Sequence, residues 1–117
     1  RLARAKAAEL RPYGVAAVAL SPGFLRSEAM LDHFGVTAET WRDAIAADEH
    51  FEFSETPAFI GQAVVALATD PEIMARTGQS LATWTLAHEY GFVDADGTRP
   101  DWGAHYAAAI APNAEQL

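Results

Sequence analysis

The chain opens on a mixture of apolar and charged helix formers, "RLARAKAAEL", and then turns abruptly apolar. Pro12 and Gly14 interrupt the first pattern, which predicts a helix ending near Arg11. The run that follows, "VAAVAL" from Val15 to Leu20, has no polar and apolar alternation, and a run this short and this apolar predicts a strand over 14–20 that is covered on both faces. Such strands are the habit of parallel sheets.

Beyond the Ser-Pro-Gly turn, the pattern from Phe24 to Asp48 reads as helical pieces. One lies around Ser27–Phe34 and is broken at Gly35; a second, "TAETWRDAIAADE", has Thr37 as its N-cap candidate and sets Trp41 and Ile45 on one face. "HFEFSE" connects to Thr56 and Pro57, where a helix over 56–69 carries Ile60, Val64 and Leu67 at helical spacing before Asp70 and Pro71 end it. "PEIMARTG" adds a turn or two. "QSLATW", residues 79–84, predicts a second strand ending on Trp84, and "TLAHEYG" a short helix. From Val93 to Leu117 the chain is turn-rich and then Ala-rich, which reads as a surface tail containing Trp102. A strand, helices and a second strand make a right-handed crossover unit. Two strands cannot cover both faces of "VAAVAL", so further strands are expected upstream of Arg1 or from another chain.

Composition narrows the function. Acidic residues outnumber basic ones 16 to 8, a formal charge of −8, which argues against nucleic acid or an anionic membrane as partner. No window reaches the length of apolar residues a membrane helix needs. There is no cysteine, so disulfides and thiolate metal sites are excluded and a cytoplasmic location is expected.

Ligands of open parallel sheets sit beyond the carboxyl ends of the strands. That is where Pro22 and Gly23 stand, and the order of segments around them resembles the short-chain dehydrogenase/reductase family. "RLARAKAAELRPYGVAAVALSPGFLRSE" is similar to that family's stretch from the last turns of the catalytic helix, residues 1–11 here, to the cofactor loop. "TPAFIGQAVVALATDP", "TGQSL" and "LAHEYGFVDADGTRP" continue the similarity. The resemblance implies an α/β fold: the C-terminal part of a Rossmann-type doubly wound parallel sheet, its last two strands with their crossover helices, from a three-layer sandwich.

It also implies an oxidoreductase that interconverts a carbonyl and an alcohol by hydride transfer with NAD or NADP, in a protein expected to be a homo-oligomer. Pro22, Gly23, Leu25 and Ser27 match the family's cofactor turn. In relatives the backbone at the Leu25 position meets the nicotinamide carboxamide, and the hydroxyl at the Ser27 position, where Thr is usual, helps hold carboxamide or phosphates. Residues 21–53 then form the turn and a substrate lid whose Phe24, Met30, Leu31 and Phe34 imply an apolar substrate. The family's glycine-rich loop, catalytic Ser and Tyr-x-x-x-Lys pair have no counterpart in these residues, so no catalytic residue is assigned, and by the register of the resemblance that pair is expected just before Arg1. The alternative reading is a non-catalytic interaction module that retains a pairing surface.

Other polar groups read as ordinary. His33, His50, His88 and His105 lack metal-ligand spacing. "DADG" fails the calcium-loop pattern and reads as a turn. Arg26 is expected in solvent, Asp48, Glu49, Glu52 and Glu55 in a solvated connector without partners, and Trp84 and Trp102 in packing.

Overall fold

A computed structural model describes residues 1–114, so Glu115–Leu117, the end of the expected tail, lie outside the described residues. Helix α1 (Leu2–Leu10) passes into a 3-10 turn over Arg11–Tyr13, and Gly14, at φ 68°, ends it in the left-handed region that glycine enters without strain. Strand β1 (Ala19–Ser21) then pairs in parallel with β2 (Ser80–Ala82), Leu20 opposite Leu81. The pairing is prepared upstream, where Ala17 accepts from the Gly78 N–H at 2.7 Å and its own N–H donates to the Thr77 hydroxyl at 2.9 Å.

The expected strand bounds are corrected: the ladder is shorter than 14–20. Val18 and Leu20 pack on Ala63, Leu67 and Leu86, while Val15, 45% exposed, and Ala19 stay open, as expected of two strands without further neighbours. The second strand stops at Ala82 because α4 (Thr83–Tyr90) claims Thr83 and Trp84, ending at Gly91 with φ 76°.

The crossover has two parts. Helix α3 (Pro57–Ala68) starts at Thr56–Pro57 as its sequence predicts and lays Ala63 and Leu67 against Leu86 of α4. The second part, between β1 and α3, is a separate small core. In it α2 (Glu28–Phe34) and 3-10 turns over Trp41–Ala46 and Glu49–Phe53 surround Trp41, Ala44 and the fully buried Phe51. Thr37 does not cap a regular helix there; its hydroxyl lies 3.1 Å from that of Thr40, and the tight pairing shapes a turn instead. Trp41 and Ile45 do meet in one cluster.

The tail is more than surface. Asp94 and Pro100 are buried, and α5 (Trp102–His105), followed by a π-helical turn and α6 (Ala111–Ala114), sits on the chain's interior through Trp102. Among the described residues no helix is long and apolar enough to cross a membrane.

Candidate functional site

The carboxyl ends of β1 and β2 open side by side, and the segment after each is fixed by polar groups. After β1 come Pro22 and Gly23. A Cβ built on Gly23 would lie 2.5 Å from the Cβ of Trp102, so glycine is needed there because α5 packs against the turn. A second contact of the same kind holds α5 from its other side: a Cβ on Gly103 would lie 2.3 Å from Nε1 of Trp84. Trp102 also meets Phe24 edge to face, with ring centroids 5.6 Å apart.

Leu25 lies in extended backbone bridged in parallel to Glu55. The Glu55 N–H donates to the Phe24 carbonyl and the Arg26 N–H to the Glu55 carbonyl, both at 2.8 Å. Because peptide groups alternate sides along an extended chain, this pairing turns the N–H and C=O of Leu25 itself the other way. Neither makes a hydrogen bond among the described residues. Ser27 is next in use: its Oγ accepts from the Met30 N–H at 3.2 Å and caps α2, which leaves the hydroxyl proton to donate elsewhere.

Glu55 overturns the reading of a solvated connector. It has no exposed surface, and its carboxylate accepts from the Thr83 hydroxyl at 2.8 and 3.0 Å. Burial pushes its pKa up from 4.5 to about 6, even though the Thr83 hydroxyl and the Gly23 N–H favour the charged form; nearby Asp94 raises it further and Arg26 opposes. Between pH 4.5 and 6 Glu55 therefore binds its proton more firmly in the folded chain than in the unfolded one. Stability is expected to fall across that window as pH rises and then level, by about 2 kcal/mol. Thermal melts of wild type and Glu55→Gln against pH check this: the difference between the two curves should carry the slope, and parallel curves would show that Glu55 does not titrate there.

Arg26 is corrected as well. It is 6% exposed, lies over the Trp41 ring at 3.9 Å, and pairs with Asp96 at 2.7 Å and Asp94 at 3.9 Å. Asp94 in turn accepts from the Thr56 N–H at 2.8 Å and from the Thr56 hydroxyl, so the Thr56 side chain serves Asp94 rather than its own helix. "DADG" does turn, Gly97 at φ 82°, but as part of this buried network. Asp48, Glu49 and Glu52 stay at the surface or half-buried. His50 Nδ1 and His105 Nε2 lie 2.8 Å apart, with His105 stacked on Phe53, and among the described residues no three metal-binding side chains converge.

Phe24, Met30, Leu31 and Phe34 are partly buried, all against Trp41, Ala44 and Phe51. The module over 24–53 is thus built around its own core. A groove of about 870 Å³ runs elsewhere, along α3 past Gly61, Val65, Thr69 and Tyr90, and none of Pro22, Gly23, Leu25 or Ser27 borders it.

No protein-family model matches the chain. Over 99 residues, 83% of its length, the chain is 39% identical to Dehydrogenase/reductase SDR family member 1 of Homo sapiens and 41% identical to the protein of that name from Mus musculus. The matched stretch is 31% of each relative, so the chain spans about a third of their length.

Proposed function

We infer that this chain, as a C-terminal segment of a short-chain dehydrogenase/reductase, closes the nicotinamide side of an NAD(P)-dependent oxidoreductase that interconverts a carbonyl and an alcohol. The similarity supports the oxidoreductase family. The observation that carries the reading is the Leu25 peptide. Its N–H and C=O face away from Glu55 without intramolecular partners among the described residues, directly beyond the carboxyl end of β1. A nicotinamide carboxamide offers one carbonyl acceptor and one amide donor, which a single extended residue satisfies from one edge.

Pro22 and Gly23 hold that edge in place from β1, and the Ser27 hydroxyl can donate to the same ligand while its oxygen keeps the α2 cap. The dinucleotide, when bound, supplies or takes up the hydride. The module carrying Phe24, Met30, Leu31 and Phe34 forms the cover of the substrate site, attached through the Leu25–Glu55 bridge, and its apolar character suits an apolar carbonyl or alcohol. The half-exposed Val64 and Val65 on α3 support a homo-oligomer in which that face meets a second protomer.

Fluorescence titration of the full-length protein with NADH and NADPH tests the reading. Ser27→Ala removes the donor and is expected to weaken dinucleotide binding about 3- to 10-fold, as one hydrogen bond does. Ser27→Thr keeps both cap and hydroxyl, removes rotational freedom, and should bind at least as tightly as wild type. Failure of the wild-type protein to bind either dinucleotide overturns the assignment.

A further inference from the structure

We infer that Glu55 is the positioning residue of the cofactor turn, holding the backbone of Gly23–Arg26 in register with the end of β2 through both its main chain and its carboxylate. This rests on the assignment of that turn to the nicotinamide site. Among the described residues, the backbone hydrogen bonds that hold Phe24–Arg26 from outside the turn are those of Glu55.

The main chain of Glu55 fixes the orientation of Leu25. Its two 2.8 Å hydrogen bonds, one to Phe24 and one from Arg26, straddle Leu25 and decide which edge of that residue is left outward. The side chain fixes where this bridge sits. The carboxylate reaches from the bridge to the Thr83 hydroxyl, on the first residue of α4 directly after β2, and its Oε2 lies beside Gly23, 3.5 Å from where a Cβ on that residue would stand. One buried side chain thus ties the segment after β1 to the segment after β2 at the point where the ligand edge forms. Trp102 fills the space beside Gly23, 2.5 Å from where a Cβ would stand, so the turn has no room to slide toward α5.

The charged groups facing this carboxylate are Asp94 and Arg26, the first opposing its ionisation and the second favouring it, with Asp96 compensating Arg26 from the 94–98 turn. Thr83 is an obligate donor only while Glu55 is ionised; a protonated carboxyl can donate to Thr83 instead, and the pull on Gly23 weakens. The grip on the turn is therefore strongest with the charged form.

Two readouts on the full-length protein separate this inference from the assignment it rests on. The first is the amide resonance of Gly23 followed by NMR between pH 5 and 8. It should titrate in wild type and stay flat in Glu55→Gln, whether or not any dinucleotide binds; a Gly23 amide that does not titrate overturns the clamp. The second is the dissociation constant of NADH and NADPH across the same range. Wild-type affinity should improve on passing from pH 5 to 7.5, whereas Glu55→Gln should bind about 5- to 10-fold more weakly at pH 7.5 and show no such change. Thr83→Val should weaken binding similarly, Thr83→Ser should restore it, and Thr83→Val added to Glu55→Gln should cost nothing more. Variants that melt like wild type yet leave the affinity and its pH profile unchanged overturn the positioning role. Absence of dinucleotide binding by wild type overturns the assignment of the turn, and the Gly23 titration still decides the clamp.

Discussion

Replacing Arg26 with Met is expected to lower stability by about 3 kcal/mol, the cost of removing one partner from a buried ion pair. Arg26 bonds Asp96 at 2.7 Å and the Ser54 carbonyl at 3.4 Å, and its guanidinium covers the Trp41 ring. Met can replace the packing on Trp41 but not the charge. Asp94, whose side chain has no exposed surface, would then keep its bonds from Thr56 while losing the only cation near it among the described residues. Asp96, a quarter exposed, can take up water, so Asp96→Asn should cost less.

Arg26→Lys should not rescue, because a point charge cannot bond two directions and stack on an indole at once. The Asp96 carboxyl is held below its ordinary value: burial acts against this, but the Thr98 hydroxyl and Arg26 prevail. Its contribution is therefore present above the unfolded value of 3.8 and is lost as pH falls through the folded one. Urea unfolding of the three variants at neutral pH checks the order; an Arg26→Met protein as stable as wild type would mean that the pair does not hold the 94–98 turn onto the module.

What the sequence disclosed and what it hid divide on physical grounds. Periodicity and breakers report on backbone and on burial of apolar groups, so α1, α3, the parallel pairing of β1 and β2 and the turns at Gly14 and Gly35 follow from them. Arg26, Glu55 and Asp94 were hidden because a buried charge announces itself only through its partner. Arg26 and Asp96 stand 70 positions apart and Glu55 and Thr83 stand 28 apart, distances over which no local pattern operates. Likewise the strand "VAAVAL" reads as doubly covered because every position in it is apolar, whereas among the described residues the sheet has two strands, which leave Val15 and Ala19 exposed.

Gly23 illustrates how one residue serves fold and site together, and Gly23→Ala separates the two. The added Cβ meets the Cβ of Trp102, which sits close to its own backbone and cannot swing aside. Overpacking of that kind costs about 1–3 kcal/mol and should displace α5 from the turn. In a Trp102→Ala background the steric conflict is gone, so the stability cost of Gly23→Ala should largely vanish in a double-mutant cycle. Dinucleotide affinity follows a different course if a ligand ring also approaches the turn: Gly23→Ala should then weaken binding in both backgrounds. A loss of affinity that disappears together with the stability cost would assign the glycine wholly to its contact with Trp102, and would leave the Leu25 edge as the part of the turn proposed to meet the dinucleotide.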